Sequence, residues 1–260
     1  MFEALKARQS EIWSSAPWQD VAGMLAPAHE HLVQVLDPQA GQRWLDVATG
    51  TGAVALRAAR AGADVTGVDF APSLIETARR QAAAEGLSVH FDVGDAEDLP
   101  YADGAFDAVS SAMGLIFAPD HEAVAGELAR VCRPRGTVAF TAWRAGATFR
   151  PVTQKYAPPL EPGQGDSEDW GREEYAEQLL GQWFDVSFEE GDAPLERSSG
   201  EEAWRLLVAS AGPFKARAES LEPAQREALH TEFVDFVEQN RLDGGVRVPG
   251  PYLLVIARRR

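Results

Sequence analysis

Trp44-Leu45-Asp46-Val47-Ala48-Thr49-Gly50-Thr51-Gly52 decides how the rest of the chain is read. Leu45 to Ala48 form a short apolar run, read as a buried strand, that carries an acid and then breaks into a Gly-Thr-Gly turn. Val54 to Ala61 follow as a helix that Gly62 is suited to end. Glycines in a strand-to-helix turn let the backbone approach a ligand and take positive φ, and the helix's first free N–H groups face the same space. The turn suits a nucleotide-like ligand and leaves its kind open.

Beyond this turn, strand and helix alternate. Strands are predicted over Asp64 to Val68, Val89 to Val93, Phe106 to Ser110 and Thr137 to Trp143, with helices over residues 53 to 61, Pro72 to Glu85 and Asp120 to Cys132. Such spacing specifies right-handed crossovers and a parallel sheet covered on both faces, an α/β fold. Upstream, residues 3 to 13 and Val21 to Leu36 carry helical patterns flanking the loop Ser14 to Trp18, so residues 1–40 are expected to form a helical lid or simple packing on the sheet. Residues 41–260 would be the main domain, with an insert at about 144–182 rich in Pro and Gly and a further helical segment at about 199–242. Trp183 to Glu189 could add a sixth strand, Ser199-Gly200-Glu201-Glu202 has capping-box spacing, and Tyr252 to Ala257 reads as the closing strand.

Composition excludes some function classes. With 24 basic against 40 acidic residues and a formal net charge of -16, binding to nucleic acid or an anionic membrane through a general positive field is not expected. The basic run Arg258-Arg259-Arg260 reads as a solvated tail. Cys132 is the sole cysteine, cannot form an internal disulfide, and is expected on the buried side of a helix. No stretch approaches the roughly 20 apolar residues of a membrane span, and the first eight residues lack the apolar core of a secretory signal. A cytoplasmic protein is expected; oligomeric state is left open.

Three acids give the glycine turn its chemical sign. Asp46 lies within the first strand, where a carboxylate works against a pyrophosphate and suits an α-ammonium. Asp69 ends the second strand, where an acid can accept from both ribose hydroxyls, and Asp95 follows the third, where it could accept from an adenine amino group. Together they line the carboxyl edge, where open α/β sheets hold ligands. A ligand with ammonium, ribose diol, adenine amine and sulfonium fits this edge better than one with phosphates.

On these residues the chain resembles the class I S-adenosylmethionine-dependent methyltransferases, most of all the ubiquinone/menaquinone-biosynthesis type and related bacterial small-molecule enzymes. The resemblance rests on Leu45 to Gly52, on Val65-Thr66-Gly67-Val68-Asp69, on Gly94 to Tyr101 with Phe106-Asp107, and on Glu127 to Gly136, covering roughly residues 40 to 143. Arg135 departs from it, since relatives often carry glycine before Gly136. It implies a Rossmann-like three-layer sandwich, with a seven-stranded mostly parallel sheet whose last strand is antiparallel, and S-adenosyl-L-methionine as cofactor. Carried over, it implies that Asp46 and the backbone of Ala48, Thr49, Gly50, Thr51 and Gly52 hold the methionine end. Asp69 would take the ribose hydroxyls, Phe70 would pack on adenine, Asp95 with the Ala96 backbone would read the adenine edge, and Ser111 would lie under the methionine portion.

Methyl transfer from a sulfonium is an in-line displacement that positioning alone can promote, with a base needed only where the acceptor must lose a proton early. Of the five histidines, His121, at a helix start near the carboxyl edge, is the best-placed base; His29 and His31 are two apart on a helix and make a poor metal pair, so no metal is expected. Trp13, Trp18, Phe117, Trp143, Phe149 and Tyr156 favour a small apolar or aromatic acceptor, with Trp18, Phe117 and Phe149 its nearest contacts. A nicotinamide-dependent oxidoreductase on a similar fold and a non-catalytic nucleotide-binding partner are the alternatives. Asp46 and Asp95 disfavour the first, since a nicotinamide cofactor requires neither.

Overall fold

The computed structural model describes residues 2–260. The chain opens with α1 (Glu3–Ser14), α2 (Gln19–Met24) and α3 (Ala26–Leu36), then runs through β1 (Arg43–Val47), α4 (Ala53–Arg60), β2 (Asp64–Asp69), α5 (Pro72–Ala84), β3 (Val89–Val93), β4 (Phe106–Ala112), α6 (His121–Val131) and β5 (Cys132–Trp143). The inserted segment holds α7 (Arg150–Thr153) and α8 (Glu173–Leu180) and leads to β6 (Phe184–Asp192). There follow β7 (Leu195–Arg197), α9 (Gly200–Ser210), α10 (Gly212–Ser220), α11 (Pro223–Glu238), β8 (Arg241–Leu242), β9 (Gly245–Val248) and the last strand, β10 (Pro251–Arg259).

The main sheet has the order β3-β2-β1-β4-β5-β10-β6. β1 pairs in parallel with β2 and β4, β2 with β3, and β4 with β5, while β10 runs antiparallel to both β5 and β6. The expected three-layer, seven-stranded sheet with an antiparallel last strand is therefore the fold. Its strands bury both faces by simple alternation: Leu253, Val255 and Ala257 enter one core cluster, and Tyr252, Leu254 and Ile256 the other. The first cluster is closed by α6 and α8 through Leu128, Ala176 and Leu180, the second by α3, α4 and α5 through Leu32, Ala55 and Ile75. A third cluster lies apart from the sheet, where α9, α10 and α11 pack with the small β7-β9-β8 sheet around Trp204, Phe214 and Phe233.

Three local differences from the sequence reading have plain causes. The single helix expected over Val21 to Leu36 is two helices broken at Leu25, because Pro27 near the start of α3 has no N–H and its ring clashes with the carbonyl of Gly23. Cys132 opens β5 instead of ending α6; it is buried, and burial pushes its thiol up to about 12, so it is inert at neutral pH. The small sheet was not expected, since strands of two to four residues are too short to display a period of two. Ser199 caps α9 as expected, its Oγ accepting from the Glu202 N–H at 3.2 Å, while the Glu202 carboxylate reaches one residue past the cap to the Ser198 N–H at 3.0 Å.

Candidate functional site

Between β1 and β4 the strand order reverses, and their carboxyl ends splay apart into the crevice where such sheets bind ligands. The turn after β1 is pinned there by two buried acids. Thr49 Oγ1 donates to Asp46 Oδ2 at 2.6 Å, and Ser110 Oγ donates to Asp46 Oδ1 at 2.7 Å. Ser110 in turn accepts from the Trp44 indole at 2.8 Å. Asp69 holds the far side of the turn: its Oδ2 accepts from the Gly50 N–H at 2.8 Å and its Oδ1 from the Ala71 N–H at 2.9 Å. Gly50 has φ 55°, and a Cβ placed on it would meet nothing within 4 Å, so the left-handed turn presents bare backbone to open space.

Burial favours the neutral form of both acids. It pushes Asp46 up to about 6, against the hydrogen bonds from Thr49 and Ser110, and the nearby Asp69 charge adds to this. Asp69 is likewise pushed up to about 6 by burial, against the Ala71 and Gly50 amides.

From this edge a cavity of about 380 Å³ runs under the N-terminal helices to the third core cluster. Its floor is the sheet edge, with Ala48, Thr49, Gly50, Thr51, Asp69, Phe70, Asp95 and Ala96. Its far wall is apolar, built from Trp143, Phe149, Leu207, Phe214 and Val248. Its roof is α1 and α2. Trp13 stacks on Trp18 with ring centroids 4.7 Å apart and packs on Phe117 at 5.0 Å. Ser10 Oγ donates to the Phe70 carbonyl at 2.8 Å, and Gln9 Nε2 to the Phe117 carbonyl at 3.3 Å.

The strongest tie of the roof is ionic. Lys6 Nζ lies 2.6 Å from Asp95 Oδ2 and 2.9 Å from Glu97 Oε2, and little of its side chain is exposed. Burial alone would pull the ammonium down, but the two carboxylates more than offset it and hold Lys6 above the ordinary lysine value. The Glu97 side chain is 6% exposed and also accepts from the Asp120 N–H at 2.8 Å, so removing the cation strands it. Lys6→Met is expected to cost about 1–3 kcal/mol and to loosen α1 first, read as a change in Trp13 and Trp18 fluorescence at denaturant concentrations that leave the sheet folded.

Eleven of the fifteen residues given a site role from sequence line the cavity: Ala48, Thr49, Gly50, Thr51, Asp69, Phe70, Asp95, Ala96, Trp18, Phe117 and Phe149. Four do not. Asp46 is 1% exposed and spends its carboxylate on Thr49 and Ser110, so it shapes the turn from behind. Gly52 caps α4, where a Cβ would press on Ala78 and Phe91 at 3.3 Å. Ser111 is fully buried and accepts from the Leu115 N–H at 3.1 Å, building the turn after β4. His121 faces away: its Nδ1 meets the Tyr175 hydroxyl at 2.9 Å and its ring packs on Trp170 at 5.2 Å.

Sequence reasoning weighed His29 only as a metal ligand and set it aside, and it missed Arg217. His29 is the one imidazole among the described residues that lines the cavity; it is 4% exposed, its Nδ1 has no partner, and burial with the nearby Arg57 charge pulls it down to about 4. The spacing Leu25, His29, Leu32, Leu36 already put it on the buried stripe of α3. Arg217 projects from α10, a helix the sequence reading did not resolve, although Phe214, Arg217 and Ala218 share one face at i, i+3 and i+4.

Comparison with known proteins agrees with this geometry. Residues 45–140 match the model of a family described as a methyltransferase domain. An uncharacterized protein of Mycobacterium tuberculosis is 39% identical over 187 residues, covering 69% of this chain and 67% of that protein. The demethylmenaquinone methyltransferase of Thermus thermophilus is 50% identical over 100 residues, 38% of this chain and 46% of that enzyme. Among solved structures, the phosphoethanolamine N-methyltransferase 2 of Haemonchus contortus in complex with S-adenosyl-L-methionine superimposes with a TM-score of 0.56 at 18% identity, over 89% of this chain and 52% of that one. By these relatives together with its strand order, glycine turn and two buried acids, the chain belongs to the class I S-adenosylmethionine-dependent methyltransferases, and S-adenosyl-L-methionine is its methyl donor.

Proposed function

We propose that the chain methylates a small molecule whose body is apolar or aromatic. The observation that carries this reading is the single cavity that joins the glycine turn to an apolar wall of Trp143, Phe149, Leu207, Phe214 and Val248 under a tryptophan roof. Such a lining favours burial of apolar surface at about 25 cal/mol per Å² and offers little to a highly polar acceptor.

The residues present fit the donor. Gly50 exposes backbone with open space before it, and carboxylate oxygens at Asp69 and Asp95 keep lone pairs beyond those already engaged. In this reading Asp69 takes the ribose hydroxyls, Phe70 packs on the adenine, and Asp95 with the Ala96 backbone stands at the adenine edge. Ala48 to Thr51 receive the methionine end, with Asp46 setting the turn through Thr49. S-adenosylmethionine supplies a methyl carbon on a sulfonium that departs as a neutral thioether. What the chain must add is alignment of the acceptor atom and exclusion of water, and the roof of α1 and α2 serves the second as a lid. His29 lines the cavity, but burial holds its imidazole down to about 4, which makes it a weak base and leaves positioning as the main contribution of the chain.

The test is transfer of a radiolabelled methyl group from S-adenosylmethionine into fractions of a metabolite extract separated by polarity. Label is expected in the apolar and aromatic fractions. Label confined to the most polar fractions would overturn the reading, as would tight donor binding with no transfer into any fraction.

A further inference from the structure

The charged side chains that line the cavity are few, and all but one cation is matched. Lys6 is held by Asp95 and Glu97. Arg150 is held by Asp166 at 2.5 and 2.7 Å and by Glu168 at 3.2 Å. Arg217, half-buried on α10, donates from Nη1 to the Thr153 carbonyl at 3.1 Å and has no carboxylate partner among the described residues. Burial first, then the neighbouring Arg150 guanidinium, pull it below the ordinary arginine value. A guanidinium has five donors in a planar fork matched to carboxylate geometry. One of these goes to Thr153, and a stranded, partly desolvated charge of this kind destabilises a protein unless a ligand completes it.

We propose that Arg217 receives an anionic oxygen group of the methyl acceptor, so that the acceptor is an amphiphilic acid: an apolar or aromatic body carrying a carboxylate. This rests on the apolar-acceptor reading and deepens it. The placement separates Arg217 from the donor's own carboxylate. Thr49 and Gly50 stand on the sheet edge, whereas Arg217 is carried by α10 of the cap, one turn on from Phe214 of the third core cluster, and donates to the Thr153 carbonyl of α7. The apolar wall would take the body of the acid and the guanidinium its head, the arrangement in which one charged contact fixes the orientation of an otherwise featureless molecule.

The test uses the full chain saturated with S-adenosylhomocysteine and titrates phenylalkanoic acids of increasing chain length against their primary amides. The acids are expected to bind about 10- to 100-fold more tightly than the amides, the usual advantage of a hydrogen-bonded charge pair. Arg217→Met should abolish this preference, Arg217→Lys should keep part of it, and the S-adenosylhomocysteine affinity should be the same in all three proteins. The melting temperature of Arg217→Met should equal or exceed that of the parent, whereas an arginine with a purely structural role would lower it. Equal binding of acid and amide by the parent, or a preference that survives in Arg217→Met, would overturn the assignment of Arg217 alone. Loss of S-adenosylhomocysteine affinity in Arg217→Met would overturn it by placing the donor's carboxylate there. Failure of both acids and amides to bind the saturated protein would overturn the apolar-acceptor reading, and this inference with it.

Discussion

Asp69→Ala is expected to weaken S-adenosylmethionine binding by about 1.5–3 kcal/mol, the cost of losing hydrogen bonds to a charged group, which is roughly a 10- to 150-fold rise in the dissociation constant. The same substitution removes the acceptor for the Gly50 and Ala71 amides, so it should lower the melting temperature as well. Asp69→Asn separates the two effects. Its carbonyl oxygen keeps an acceptor for one of the amides, but its NH2 cannot accept from a second ribose hydroxyl. It should therefore retain more stability than the alanine variant while losing much of the affinity. Calorimetric titration gives the affinity and thermal unfolding the stability. Dissociation constants unchanged in both variants would confine Asp69 to holding the turn.

The double duty proposed for Asp69 marks what the sequence could and could not convey. An acid at the end of the second strand, after a glycine turn at the end of the first, needs only strand order and chain direction to be placed at the ligand edge, and both are legible in the alternation of strand and helix. Asp46 shows the limit. Its position within β1 was plain, but the direction of its carboxylate depends on Ser110, sixty-four residues on, which brings a hydroxyl between the two strands and turns the acid into the wall. His121 fails for a similar reason, since Tyr175 and Trp170 come from the inserted segment and draw the imidazole toward the opposite core. Arg217 was missed because the face it shares with Phe214 and Ala218 is a single turn of a helix that is otherwise barely amphipathic and is held by contacts with α1, where Gly212 sits against the Ile12 carbonyl. Side chains placed by local periodicity were readable, and those placed by partners far along the chain were not.

The pH dependence of stability should show the buried acids directly, and its sign follows from their direction of shift. Asp46 goes from 3.8 to about 6 on folding, so its share of stability is full below the unfolded value and is lost as pH rises through about 6. Asp69 has the same sign. His29, pulled from 6.5 down to about 4 by burial, has the opposite one: its share is present above the unfolded value and lost as pH falls through about 4. The slopes oppose each other between about pH 4 and 6, where two acids outweigh one histidine, so the stability of the parent protein should fall with pH less steeply than the acids alone would make it. Variants expose them. Asp46→Asn pays a fixed cost for its poorer match to the Thr49 and Ser110 hydroxyls. Relative to the parent it should then gain roughly 2 kcal/mol on going from pH 4.5 to pH 7.5, the part of a shift of about two units at 1.36 kcal/mol each that lies above pH 4.5. His29→Gln should lose stability relative to the parent over the same rise. Bound S-adenosylmethionine, with its ammonium and sulfonium, favours the ionised acids, so its affinity should rise with pH through 6 and the pH dependence of the Asp46→Asn difference should shrink in the complex. Denaturant melts of both variants at pH 4.5, 6 and 7.5, with and without the donor, measure all of these differences. A difference between Asp46→Asn and the parent that stays constant across that range would show that Asp46 titrates alike in the folded and unfolded chain, and the turn would then owe its shape to an acid that is charged throughout.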